Sequence, residues 1–344
     1  MVIGVCGYGY TGSGALLDLF REYKNFSQCP FDDVEIMLTY YPDGLESLAY
    51  NLYEAPSRFM SSDIAIYRFE RFMYQYARSS KVVKAATHGK IPEITEEFLK
   101  NITDIEWSGS WLFDFYQKQE TNIGWFMSRA FRTIQRILEK KGMYIPLNQR
   151  NMRLAVDEER FYKEARAYIG KIIDVMYPDK HSRVILNQPF AANFPTKSFV
   201  FFDDPRAIIV DRDPRDVYIL SKRAVKSRSE WIPTDDVNKF IKYYRWMHSH
   251  FDKEIQNENV VIVNYEDLIF NSELVIEDIE KIIGELGEKN GERHFFPEVS
   301  INNTQLFKKY PEYITDISVI ERELPEYLYD FSDKQTPKFD TETF

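Results

Sequence analysis

Two patterns alternate along the chain. Short continuous apolar runs stand at residues 2–6, 35–39, 184–186, 207–210 and 260–263. Between them, apolar positions recur every three or four residues. Continuous apolar runs are the mark of strands buried on both faces of a sheet, and the longer period is that of helices packed on one side. The spacing predicts helices over about residues 14–23, from Pro214 onward, over 233–251 and over 274–286. Asp213 is placed to cap the second of these. Pro214 takes the first helical position, where its missing N–H costs nothing. Strands alternating with helices imply an α/β fold, a parallel sheet flanked by helices. The spacing is uneven, however. Residues 47–180 are aromatic and helix-like with few strand signals, as in "SRFMSSDIAIYRFERFMYQYARSS". That stretch reads as a large helical insertion packed over one edge of the sheet within a single domain of residues 1–344. The polar end, residues 332–344, reads as a frayed tail.

The first strand runs straight into glycines. In "VIGVCGYGYTGSGALLDLF" they fall at positions 4, 7, 9, 12 and 14, and a helix follows. A strand, a glycine loop and a helix N-terminus together form an anion site, because loop amides and the positive end of the helix dipole point at one place. Gly7, Gly9 and Gly12 spell the G-x-G-x-x-G of dinucleotide-binding folds. Gly7 and Gly12 also have the spacing of a P-loop, with Ser13 where the lysine should stand. A plain turn that binds nothing does not need five glycines in eleven residues, since each costs backbone entropy.

Composition narrows the choice. The 344 residues are 44% hydrophobic and 16% aromatic, enough for a sizeable core. No run reaches the roughly 18 apolar residues of a membrane-spanning helix. Met1 leads directly into the first strand without a basic and apolar leader, and only Cys6 and Cys29 are present, so a reducing, cytoplasmic setting is expected. No Cys/His or carboxylate cluster has metal-ligand spacing, so no metal is expected. His248 and His250 do not share a helix face and read as ordinary polar positions. The net charge of −10 disfavours nucleic acid as a partner. Positive charge is concentrated in one stretch: residues 206–228 hold seven Lys/Arg against three Asp.

That stretch contains "AIIVDRDPRDVYILSKR". Arg212 stands just past a strand end, and Ser221 lies about two turns into the following helix. Ligands of open α/β sheets bind outside the carboxyl ends of strands, so both side chains could reach a phosphate there. Here the sequence resembles the sulfotransferases that use 3′-phosphoadenosine 5′-phosphosulfate (PAPS). Their pattern is an apolar strand, then R-[ND]-P-[RK]-D-V, then a serine. "RDPRDV" at 212–217 is similar to it, as is "VVIVNYEDLIF" to the family's later strand and Y-E-D-L. "SINNTQLFKKY" resembles the S-x-x-N-x-G-K-W-K segment of bacterial glycan sulfotransferases, with Asn303 and Lys308 in register. "PDGLESL" at 42–48 resembles a turn of the same enzymes. The resemblance spans about 1–50 and 183–331 and leaves the middle uncovered.

It implies a P-loop sulfotransferase-like fold and sulfuryl transfer from PAPS, without metal, to a hydroxyl or amine of a glycan or small metabolite. The insertion would supply the acceptor pocket. The loop of Gly9, Tyr10, Thr11, Gly12, Ser13 and Gly14 would cradle the 5′-phosphosulfate. Arg212 and Ser221 would hold the 3′-phosphate, and Lys308 would close over the nucleotide. Tyr10 stands where the family carries a basic residue, so Lys84, Lys197 or Lys308 would have to supply that cation. Ser221 is nine residues after Arg212 where many members have eight. An attacking hydroxyl needs a base. Glu35, on the expected second strand with Asp33 beside it, and His88 in "KAATHGKIP" are the candidates. Asn187 and Gln188 either orient the acceptor or form a turn before Pro189. Two other readings remain: a Rossmann-type NAD or FAD protein, resting on the glycine motif, and a catalytically impaired homologue that binds nucleotide or glycan, resting on Tyr10.

Overall fold

The computed structural model describes residues 1–29, 34–55, 58–109, 122–143, 150–178, 182–224 and 231–339. The chain divides into two compact units, Met1–Met37 with Met176–Phe344, and Leu38–Val175.

The first unit is built on β1 (Val2–Gly7) and β2 (Phe26–Gln28). The second unit holds β3 (Thr103–Gly109) and β4 (Arg150–Ala155), and the chain then returns to the first with β5 (Arg183–Asn187), β6 (Pro205–Asp211) and β7 (Val260–Asn264). The order in the main sheet is β2-β5-β1-β6-β7, parallel throughout. The sequence-level expectation of a parallel α/β sheet flanked by helices therefore holds. Four of the five apolar runs are strands. Ala207 to Val210 are fully buried because helices cover both faces of β6. On one face, Ile3, Val5, Ile208 and Val210 pack on Leu16 and Phe20 of the helix Ser13–Arg21 and on Ile279 of the helix Ser272–Ile283. A second core joins the helices Pro214–Ala224, Val237–Met247 and Ile314–Glu323.

The fifth run departs from expectation. Residues 34–37 are extended but unladdered, and a turn follows at 38–40. Val34, Ile36 and Leu38 are buried in alternation, which is why the segment reads as a strand. The Ile36 amide ties it to the sheet by donating to the Asn187 carbonyl (2.9 Å). The true second strand, Phe26–Gln28, is only three residues long and lies on the sheet edge. The neighbour of β1 on that side is β5, not the segment that carries Glu35.

The second unit is largely helical, with helices Arg58–Ser79, Ile91–Asn101, Asn122–Lys140 and, at its boundary, Glu158–Met176. Part of its aromatic content is core. Phe69, Phe98, Phe161 and Tyr168 are buried together, with Phe98 stacked on Tyr168 at 4.5 Å. The Tyr168 hydroxyl is satisfied by Thr95 Oγ1 at 2.9 Å. The unit also contains an antiparallel pair, β3 with β4. Ser62 and Asp63 accept from the amides of Ala155 and Arg153 and so tie the long helix to β4.

Candidate active site

β1 delivers the glycine loop to the carboxyl edge of the sheet, and the helix Ser13–Arg21 starts from it. Two glycines are required there. Gly9 (φ 93°) lies beneath the Trp231 indole, where a Cβ would stand 2.0 Å from the ring. Gly12 (φ 87°) lies against Tyr265, where a Cβ would stand 2.3 Å from the ring. Between them Tyr10 also takes a left-handed conformation (φ 56°), with its ring nearly parallel to Trp231. Thr11 is only 2% exposed, and its hydroxyl has no partner. Gly14 opens the helix in free space.

Gln188 reaches the loop from the end of β5. Its Oε1 accepts from the Gly7 amide (3.2 Å), and its Nε2 lies 3.4 Å from Ser13 Oγ. Gln188 itself has φ 53°, a turn conformation that aims the side chain back at the loop. Gly9, Tyr10, Thr11, Ser13, Glu35, Gln188 and Trp231 line one cavity of about 260 Å³. Glu35 thus meets the loop although its segment is not a strand. Alternation turns Val34 and Ile36 inward and leaves Glu35 outward, on the cavity wall.

β6 delivers Arg212. The side chain donates to the Tyr10 carbonyl (3.0 Å) and to the Asn303 carbonyl, and its guanidinium lies 4.5 Å over the Tyr265 ring. The residue is only 4% exposed, and its Nε has no partner. Asn303 Oδ1 is likewise buried without a partner. Asp213 caps the next helix as its sequence position implies, accepting from the Arg215 amide at 2.8 Å. Arg215 folds back on the Asp213 carboxylate (2.6 Å), reaches Glu321 (2.9 Å) and stacks on Phe307.

Around these charges lie two buried acids. Burial pushes the Asp216 carboxyl up to about 7, with Arg212 opposing the rise and Asp213 adding to it. Burial, reinforced by Asp213, also holds Glu266 well above the usual carboxylate range. One oxygen of each has no partner. Below the strand end, Asp211 accepts from His248 Nε2 (3.1 Å to both oxygens) and from the Tyr244 hydroxyl (3.3 Å). His248 Nδ1 faces the Tyr244 carbonyl at 2.9 Å. His248 is therefore not the ordinary polar position its spacing suggests. As the residue ending the helix Val237–Met247, it turns inward and lies buried between Tyr8 and Tyr244.

Other expected site residues do not line this cavity. The Ser221 hydroxyl is buried and donates to the Val217 carbonyl one turn back (2.7 Å), so the helix itself occupies it. Lys308 bonds Gln305 and lines a different cavity, with Arg215, Tyr329 and Lys334. His88 is exposed in a turn of the second unit, with φ 48°. Asp33, Lys226 and Arg228 lie outside the described residues. Trp231 stands at no motif position, and Tyr265, the first residue of Y-E-D-L, carries in sequence no sign of its contact with Arg212.

A model of the sulfotransferase family matches residues 94–286, more than half of the chain. The chain belongs to the sulfotransferase family. Family membership accounts for "RDPRDV" and Y-E-D-L, which both fall inside the match; the glycine loop lies before it. The family match also takes in residues 94–182, which the motif resemblance left uncovered. Sulfuryl transfer is the chemistry of this family, and its usual donor is PAPS. No curated protein matches the chain. Among the described residues no His, Cys, Asp or Glu group could hold a metal ion, and no helix is long and apolar enough to cross a membrane.

Proposed function

We propose that the protein transfers a sulfuryl group from PAPS to a hydroxyl or amine of a glycan or small metabolite, with the glycine loop as the donor site. One observation carries this reading: a carboxylate, Glu35, lines the same cavity as the loop. Two buried donors without partners support it, namely Thr11 Oγ1 and Arg212 Nε. Left unmet, such groups are costly, and a bound anion meets them. The cavity suits the phosphosulfate end of the donor rather than the whole nucleotide.

When bound, the donor supplies the electrophilic sulfur and a phosphate leaving group. The chain's own residues do the rest. Loop amides, the Thr11 and Ser13 hydroxyls and the dipole of the helix Ser13–Arg21 hold negative charge on the leaving side. Arg212 holds the 3′-phosphate through Nε and through the donor now given to Asn303. Glu35 takes the proton from the attacking acceptor group. Trp231, over Gly9, excludes water from one wall.

The test is calorimetry with adenosine 3′,5′-bisphosphate, followed by turnover of Glu35→Gln. The bisphosphate should bind wild type and Glu35→Gln alike. Turnover of the variant should fall about 10²–10⁴-fold, the usual contribution of a general base. Unchanged turnover would remove Glu35 from the role of base. Binding of NAD in place of the bisphosphate would favour a Rossmann-type reading.

A second reading has its own observation. The described residues lining the cavity include one carboxylate and no Lys or Arg, and Tyr10 fills the basic position. A binding protein without transfer activity fits that lining. Activity appearing in Tyr10→Lys, with none in wild type across an acceptor screen, would support it.

A further inference from the structure

The helix Asn122–Lys140 stands outside the candidate active site and is two-faced. At about 100° per residue, Phe126, Ala130, Phe131, Ile134, Ile137 and Leu138 fall within an arc of about 140°. Arg129, Arg132, Arg136 and Lys140 fall within about 80° on the other side. Apolar side chains normally face a core. Here Phe126 is 69% exposed and Ile137 51%, with Ile134 and Phe131 also exposed. The helix carries four basic residues and one acidic, a net +3 in a chain of net −10.

We propose that this helix lies flat in the headgroup layer of an anionic lipid surface, with its apolar arc inserted and its basic arc at the phosphates. A strongly two-faced helix with Phe and Ile on one side and Arg and Lys on the other gains apolar burial from the acyl boundary and attraction from anionic lipid. The pairing of the two arcs selects lipid over a second copy of this chain. Self-association through the apolar arc would leave the basic arc of each copy on the outer face without a counter-charge, whereas an anionic lipid layer takes up both arcs. The helix spans nothing: its four basic residues exclude it from the hydrocarbon centre.

The experiment is vesicle co-sedimentation of the full chain. Vesicles of phosphatidylcholine alone are compared with vesicles that also contain phosphatidylserine. Binding should appear with the anionic vesicles and weaken as salt rises. Arg136→Glu removes one cation from the surface and adds an anion, and should weaken binding at least roughly five-fold. Ile134→Asp combined with Ile137→Asp should abolish it. Both positions are exposed, so the melting temperature should stay at the wild-type value, and equal melting establishes that lost binding is not lost folding. No binding to either vesicle overturns the proposal, as does undiminished binding by the double variant. So does a dimer in sedimentation analysis that the double variant dissociates, since the apolar arc then belongs to a second copy.

Discussion

Arg212 is held from three sides: the Tyr10 carbonyl, the Asn303 carbonyl and the face of Tyr265. A guanidinium fork meets two carbonyls and leaves Nε over, whereas an ammonium cannot keep that geometry. Arg212→Ala should therefore weaken adenosine 3′,5′-bisphosphate by about 1.5–3 kcal/mol, the worth of a hydrogen bond to a charged group. Arg212→Lys should recover little of it. Calorimetry on both variants decides, and equal affinity in Arg212→Ala would remove the 3′-phosphate assignment. Ser221→Ala should leave affinity near wild type, because its hydroxyl serves the Val217 carbonyl.

At the level of elements, the glycine loop is held open by rings. Gly12 has a positive φ and the Tyr265 ring where a Cβ would go. Gly12→Ala combines a left-handed penalty of about 1–2 kcal/mol with a clash, and thermal denaturation should show a loss of at least that size. The Gly14→Ala control, in open space, should hold its melting temperature or raise it. How far such elements could be read from sequence depended on burial. β1 and β6 are continuous apolar runs because helices cover both of their faces. β3 and β4, "TDIEWSG" and "RNMRLA", lie partly exposed and carry charge, so their pairing left no apolar signature. Residues 34–38 alternate like a strand, yet alternation reports burial on one side and not a hydrogen-bonded ladder. In the site, Arg212 and the glycine loop could be read because each sits beside its own strand end. Trp231 could not, since it reaches the loop from 222 positions away, measured from Gly9; Gln188 could be read as a residue following a strand, but not its bond to Gly7, 181 positions away.

For the whole molecule, acidity is the accessible variable. The Asp216 carboxyl lies at about 7 in the fold against 3.8 when unfolded. Between those values the folded chain binds more protons than the unfolded one. Asp216 therefore favours the fold at low pH, and its contribution is lost as pH rises from about 4 to about 7. Glu266 acts in the same direction. Asp216→Asn should flatten the decline of melting temperature across that window, and an unchanged slope would show that Asp216 is ionised in the fold.

The strand order has a further consequence, for the chain as it leaves the ribosome. Among the described residues β1 pairs with β5 and β6, and β2 pairs with β5. All of residues 29–182 must be synthesised between β2 and β5. Until then the first strand and its glycine loop have no sheet neighbour. Parallel pairing across such a distance closes late and leaves apolar strands waiting. The inserted unit, Leu38–Val175, is complete before its flanks can pair. Ribosome-arrested chains ending near residue 210, with β5 still inside the exit tunnel, should thus be cleaved by protease within residues 1–29 while resisting cleavage in the helices of the second unit. Protection of both regions at that length would mean that the N-terminal strand finds shelter before β5 emerges.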